Sequence, residues 1–223
     1  MNGRGEGGSA AGSATLLVIA KEPVPGRVKT RLAPEYTPEE AARVAAAALE
    51  DTLHTVLSLP ARRRVLALEG RPGPWLPDGG FDVVAQPDGG LDERLAAAFA
   101  GCSGPTLLLG MDTPQVTAGI LAPVLAADAW RRADAWFGAS EDGGFWALGL
   151  ADPDPALLLG VPMSTDRTGR VQRRRLTDAG LRVGDLPRLV DVDTAADAAR
   201  VARQAPWSRF GRTVRALAEG CAR

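Results

Sequence analysis

The chain has 223 residues, 45% of them apolar and 24% charged, which suits one α/β domain with a sizeable core. A formal net charge of -1 gives no global attraction to nucleic acid or an anionic membrane, so any anion must be held by a local cluster. His54 is the only histidine, and Cys102 and Cys221 lack metal-ligand spacing, which argues against His-based zinc centres, Ser-His-Asp or Cys-His catalysis, and a disulfide framework.

Residues 1–13 are mainly Gly, Ser and Ala and read as a disordered leader, with one domain over residues 14–223. The leader has no apolar stretch of signal-peptide length, and nothing downstream is long enough to span a bilayer, so the expected location is the cytoplasm. Leu16-Leu17-Val18-Ile19-Ala20 reads as a strand buried on both faces. It runs into Lys21-Glu22-Pro23-Val24-Pro25-Gly26-Arg27-Val28-Lys29-Thr30-Arg31, a loop stiffened by two prolines. The loop carries Lys21, Arg27, Lys29 and Arg31, and the chain's two lysines both lie in it. A first strand feeding a cationic loop is where open α/β sheets hold phosphates. Neither a Walker A pattern nor G-x-G-x-x-G fits the spacing.

Thr37-Pro38-Glu39-Glu40 is a helix start with a capping box. Ala41, Val44, Ala45, Ala48, Leu49, Thr52, Leu53 and Val56 then recur at helical spacing on one face, with His54 beside the stripe as a partly exposed residue. Strands are predicted at 64–69 and 83–85, separated by a Pro/Gly-rich loop that Trp75 pins, and a helix at 91–100. A fourth strand, 106–109, ends in Gly110-Met111-Asp112-Thr113-Pro114. A helix near 117–127, strands at 136–139 and 145–150, a helix at 168–179, a strand at 181–183 and helices after Thr194 and near 207–217 complete the reading. Alternating strands and helices imply a mostly parallel sheet covered on both faces, with the site at one edge of it.

Asp112 is the foremost candidate for chemistry, because a carboxylate at a strand's end suits Mg²⁺, which takes one or two protein carboxylates plus substrate phosphates; the plain alternative is an Asx turn. In Asp191-Val192-Asp193-Thr194, residues two apart share a face of an extended segment, so either or both carboxylates could reach a metal, or one caps the following helix. Asp142-Gly143-Gly144 reads first as a β-turn, with Asp142 a further candidate. Gln86, ahead of Asp88-Gly89-Gly90, has an amide that can pair with a nucleobase edge beside glycines that let backbone approach a flat ring. Arg167, Arg170, Arg173, Arg174 and Arg175 are spread at helical spacing and read mostly as surface. Aromatic residues, at 5%, form no stacking platform for single-stranded nucleic acid.

Taken together, these segments resemble the nucleotide-diphospho-sugar transferase superfamily, with its glycosyltransferase-A-like (Rossmann-like) fold. The carrying pieces are Ala20-Lys21-Glu22-Pro23 to Lys29-Thr30-Arg31-Leu32, Gly89-Gly90-Leu91-Asp92-Glu93-Arg94-Leu95, Leu109 to Pro114, Glu141 to Phe145, and Asp191 to Thr194. Within that superfamily the chain most resembles the bacterial radical-SAM/selenodomain-associated transferases, and more distantly the 2-phospholactate guanylyltransferases. The resemblance implies that Lys21, Arg27, Lys29 and Arg31, with Gly26 in their loop, hold a triphosphate. It also implies that Gln86, Gly89 and Gly90 lie near the base, that Asp112 and Asp193 hold Mg²⁺ or Mn²⁺, and that Lys29, Asp112 and Asp142 form the catalytic set. The expected function is nucleotidyl transfer from a nucleoside triphosphate to a small phosphorylated acceptor, with release of pyrophosphate. The alternatives are a glycosyltransferase with a nucleotide-sugar donor and a non-catalytic nucleotide-binding module.

Overall fold

In the computed structural model, which describes residues 14–221, the strand register fixes where every functional loop emerges. The expected leader, residues 1–13, lies outside the described residues. Strand β1 (Thr15–Lys21) pairs in parallel with β2 (Arg63–Glu69) on one side and with β4 (Thr106–Gly110) on the other. β3 (Asp82–Ala85) extends the β2 side as an edge strand. On the other side follow β6 (Phe145–Leu150), β5 (Ala135–Ser140) and the second edge strand, β7 (Val183–Leu189). The sheet has seven strands in the order β3-β2-β1-β4-β6-β5-β7, and only β6 runs against its neighbours.

The chain fills the sheet outward through β1, β2 and β3, then returns to lay β4 against the free side of β1. This reversal creates a crevice at the carboxyl ends of β1 and β4, the place where open α/β sheets bind ligands. Register puts Lys21 level with Glu69 and Ile19 level with Gly110, so Met111 and Asp112 emerge beside Lys21. The Lys21 N–H donates to Met111 Sδ at 3.3 Å, fastening the two strand ends.

Helix α1 (Pro38–Ser58) begins as its sequence requires: Thr37 accepts the Glu40 N–H, and Glu40 accepts the Thr37 N–H. Its apolar residues, expected on one face, serve two. Ala45, Leu49, Leu53 and Val56 pack on the sheet with α3 (Ala118–Leu125) and α4 (Ala129–Arg132). Ala41, Val44, Ala47 and Ala48 pack against α6 (Ala195–Gln204) and α7 (Arg209–Cys221). A helix covered on both sides needs small residues to let its neighbours approach, which accounts for its alanines. The opposite sheet face carries α2 (Leu91–Ala100) and α5 (Thr168–Asp178) over Leu17, Val65, Phe137 and Leu148. No helix among the described residues is long and apolar enough to cross a membrane.

Strand β7 differs most from expectation, running over 183–189 rather than 181–183. Gly184 and Pro187 mask it in the sequence, but an edge strand tolerates a proline that donates nothing to a ladder. Four-residue α4 was not foreseen, since so short a turn has no periodicity to read. Trp75 is buried and His54 exposed, both as expected.

Two tests follow from this packing. The nearly buried Asp51 of α1 accepts the N–H groups of Arg209 (3.0 Å) and Phe210 (2.8 Å), satisfying the start of α7. Asp51→Ala is expected to lower stability by about 1–3 kcal/mol, read as a shift in the urea midpoint, with Asp51→Asn recovering part of it. Asp134 accepts Arg182 N, Nε and Nη2 at 2.8–2.9 Å, and these hydrogen bonds hold its carboxyl well down, at about 2. A depressed carboxyl stabilises the fold above the ordinary aspartate value of about 3.9 and loses that contribution as pH falls through its folded value. The melting temperature of the native chain should therefore drop more between about pH 4 and pH 2 than that of Asp134→Asn.

Candidate active site

A cavity of about 390 Å³ opens over the carboxyl ends of β1 and β4. Lys21, Arg94, Gln86, Asp112, Asp142 and Asp191 line it, and the 163–165 segment with Thr168 closes one side. Its composition follows from the topology: β1 delivers Lys21, β4 delivers Asp112, the β5–β6 hairpin delivers Asp142, and the segment after β7 delivers Asp191.

Lys21 and Arg94 share one counter-ion, Glu69, with Lys21 Nζ at 3.5 Å and the Arg94 guanidinium in direct hydrogen-bond contact. Burial pushes the Glu69 carboxyl up, but the Arg94 hydrogen bond and the charges of Lys21 and Arg94 outweigh it, leaving the group below the ordinary range. Two cations on one carboxylate leave a net positive wall. The sequence gives Arg94 no role beyond its place in the Gly89–Leu95 motif, because it sits inside a helix, four residues after the Gly90 cap, where an arginine ordinarily faces solvent.

The other charged groups of the lining are acidic. Asp112 Oδ1 is buried and accepts no hydrogen bond of ordinary geometry; the Lys29 ammonium neutralises it from 2.6 Å. The same ammonium donates to the Val192 carbonyl, and Lys29 is held in the left-handed region at φ 50° with its side chain 9% exposed. Burial, then the like charges of Asp142 and Asp112, push Asp191 up to about 6, against the pull of Lys29. Asp142 Oδ1 accepts the Gly144 N–H at 2.7 Å, the turn geometry expected of Asp-Gly-Gly, while the residue still faces the cavity.

The structure disperses the four cations of the first loop. Lys21 lines the cavity, Lys29 lies beneath Asp112, and Arg27 and Arg31 are exposed and outside the lining, as is Gly26. Arg31 Nη1 is 2.5 Å from Asp193 Oδ2, so of the two carboxylates in that segment Asp191 faces the cavity and Asp193 faces Arg31. Gln86 spends both amide donors on the Ala20 and Ala67 carbonyls, leaving only its oxygen for a ligand. Gly89, at φ 126°, lets the chain turn into α2, where Glu93 accepts the Gly90 N–H; neither glycine lines the cavity. Glu141 is clamped by both Nη atoms of Arg200, which hold its carboxyl low.

Asp112, Asp142 and Asp191 bring carboxylate oxygens to the cavity. Among the described residues no three acidic, histidine or cysteine groups stand close enough to enclose a metal ion by themselves. Carboxylate oxygens are donors that Mg²⁺ or Mn²⁺ takes one or two at a time, with substrate phosphates in the remaining positions. Asp112 Oδ1 already carries the Lys29 ammonium, so in this half-exposed carboxylate the other oxygen is the one left for a cation.

Comparison with known proteins defines the fold first. The chain superposes on a protein from Desulfovibrio desulfuricans G20 designated a nucleotide-diphospho-sugar transferase, with 25% identity, a TM-score of 0.79 and coverage of 95% of this chain and 96% of that one. It is also similar to the Rv0371c homologue of Mycobacterium sp. strain JC1 (20% identity, TM-score 0.55, 87% and 98% covered). A further likeness is to CMP:2-keto-3-deoxy-manno-octonic acid synthetase complexed with CTP (12% identity, TM-score 0.55, 85% and 96% covered). The architecture is thus the α/β fold of nucleotide-diphospho-sugar transferases and cytidylyltransferases. The chain itself belongs to the family described as uncharacterized protein conserved in bacteria (DUF2064), which matches residues 44–165. That match spans Gln86, Arg94, Asp112 and Asp142 but neither the first loop nor Asp191. No curated protein matches the sequence.

The hairpin carrying Asp142 offers a direct test of this packing. Gly143 has φ 93°, and a Cβ on it would stand 2.0 Å from the Asp166 carbonyl oxygen. Gly26 has φ 74° but open space around it. Gly26→Ala is expected to cost about 1–2 kcal/mol and Gly143→Ala roughly 2–5 kcal/mol, compared by urea denaturation.

Proposed function

We propose that the protein is a nucleotide-utilising transferase whose reaction is nucleotidyl transfer from a nucleoside triphosphate to a small phosphorylated acceptor in the cytoplasm. The observation that carries this reading is the cavity at the β1/β4 reversal, which Lys21 and Arg94 line together with the carboxylates of Asp112, Asp142 and Asp191. The cations suit the phosphates of a donor, and the carboxylates suit a divalent metal bound to those same phosphates. On the same fold, the synthetase noted above binds CTP, and Rv0371c of Mycobacterium tuberculosis H37Rv is complexed with manganese (20% identity, TM-score 0.50). The finer kinship suggested by the motifs, with radical-SAM/selenodomain-associated transferases, belongs to this proposal.

Asp112 with Asp191 would hold the metal, and Asp193, fixed by Arg31, takes second place for that role. When bound, a divalent metal neutralises phosphate charge and favours in-line displacement. Lys21 and Arg94 bind and orient the triphosphate, and their charge opposes the build-up on the departing pyrophosphate. Lys29 acts from below by fixing the Asp112 carboxylate. An acceptor phosphate oxygen attacks the α-phosphorus as the bond to the β-phosphate oxygen breaks, and pyrophosphate leaves. That acceptor is already largely ionised near pH 7, so the chemistry requires no histidine base. Gln86 Oε1, the atom of that side chain left free, would meet the base.

A second reading, glycosyl transfer from a nucleotide-sugar, is favoured by the designation of the Desulfovibrio protein and by Asp142, whose carboxylate could take a proton from an acceptor hydroxyl. Thermal-shift titration with four nucleoside triphosphates and a panel of nucleotide-sugars, with and without Mg²⁺, separates the two readings. The expected outcome is a Mg²⁺-dependent rise in melting temperature with one triphosphate. Lys21→Ala and Asp112→Asn should each weaken that binding tenfold or more, about 1.4 kcal/mol, and Asp191→Asn should weaken it more than Asp193→Asn. A rise confined to nucleotide-sugars would establish the second reading, and binding indifferent to Asp112→Asn would indicate a non-catalytic nucleotide-binding module.

A further inference from the structure

Arg170, Arg173, Arg174 and Thr177 lie three, four and seven positions along α5 and so form one stripe, against the expectation that the arginines of this helix scatter over the surface. Arg175 alone among the helical arginines turns the other way, to the Leu159 carbonyl. The stripe faces β5 and β7 across a cleft of about 530 Å³. A fourth arginine reaches the cleft through an irregularity of the sheet. Gly138 stands level with Leu186 but Ser140 with Leu189, so β7 carries one extra residue. Leu186 and Leu189 thereby keep to the same core, and Arg188 is turned to the α5 side, where its Nε donates to the Ser140 carbonyl at 3.3 Å. Bulges commonly re-aim side chains in this way.

The charge in this cleft is only partly cancelled, and the charge of Arg188 is also felt by Glu141. Arg170 makes neither a hydrogen bond nor a salt bridge among the described residues, and Arg188 makes no salt bridge there. Arg174 meets Asp178 only at 3.4 Å in an exposed pair, which holds it weakly. Arg173 is committed to Asp185 through Nε and Nη2, and Asp166 is the carboxylate in the lining. The cleft is separate from the first cavity but shares Ser140 and Gly144 with it. The partition is a backbone contact, in which the Gly169 N–H donates to the Gly143 carbonyl at 2.7 Å and a Cβ on Gly169 would stand 2.3 Å from the Gly144 oxygen. An occupant would thus sit directly behind the hairpin that carries Asp142.

We propose that this cleft is a second binding site, selective for the phosphomonoester group of a small metabolite. Guanidinium groups match phosphate oxygens in paired hydrogen bonds, and the charge and three acceptor oxygens of a phosphomonoester use converging arginines more fully than a carboxylate does. The volume suits a small molecule, and the site stands whatever the first cavity transfers. The test uses the full chain labelled with ¹⁵N-arginine, titrated with inorganic phosphate while the Nε–Hε signals are followed by NMR, with chloride and acetate at matched ionic strength as controls. Signals of Arg170 and Arg188 are expected to shift and saturate with a Kd of about 1 mM or tighter, while exposed Arg31 remains unchanged. Arg170→Ala should weaken the response of Arg188 tenfold or more, and Arg188→Ala, on the other wall, should do the same to Arg170. Unsaturated drift, an equal response to chloride or acetate, or indifference of each arginine to loss of the other would overturn the proposal.

Discussion

The buried ammonium of Lys29 ties together three of the segments at the candidate site. It lies on Asp112 at 2.6 Å and donates to the Val192 carbonyl, while Val192 N–H donates to the Asp112 carbonyl at 2.9 Å. Gln115 adds a further link, from its buried amide to the Val190 carbonyl at 2.6 Å. The loop after β1, the loop after β4 and the segment after β7 are thus joined around one cation. Taking an ammonium out of water is costly, and only a carboxylate with satisfying hydrogen bonds offsets it. Any change that removes one partner therefore leaves an uncompensated charge in the floor of the cavity.

This latch also determines which aspartate faces a ligand. Val190 and Val192 are both buried in the cluster they share with α6 and α7, so Asp191 between them turns outward into the cavity. Asp193 has the same parity but stands next to Thr194, which caps α6. Its carboxylate meets Arg31 instead. Burial, joined by the like charges of Asp142 and Asp112, raises the proton affinity of Asp191, a cost that a bound cation would relieve.

The hairpin between β5 and β6 serves two cavities at once. Its two glycines pack backbone to backbone against residues 166–169, leaving no room for a side chain at Gly143 or Gly169. The partition is consequently one chain thick, with Asp142 on one side and the α5 arginines on the other. Close packing of this kind transmits small displacements, because interiors have little free volume to absorb them.

Much of the fold was legible in the residues themselves, because its signals are local. The bounds of α2, the capping boxes at Thr37 and Thr194, the apolar β1 run and the proline stop after Asp112 are each determined by neighbours within a few positions. β7 and α4 were not legible, since an edge strand with Gly and Pro and a single helical turn carry no periodic pattern. For the site, the sequence by itself determined that Lys21, Lys29, Asp112, Asp142 and the Asp191–Asp193 pair lie where chain segments leave the sheet. Only the tertiary structure decided which of them meet. Sheet register set Lys21 beside Glu69 and Arg94, burial took Lys29 beneath Asp112, and a one-residue slip in β7 sent Arg188 across to α5. Those outcomes depend on contacts between residues up to 163 positions apart, and no pattern within a local window encodes them.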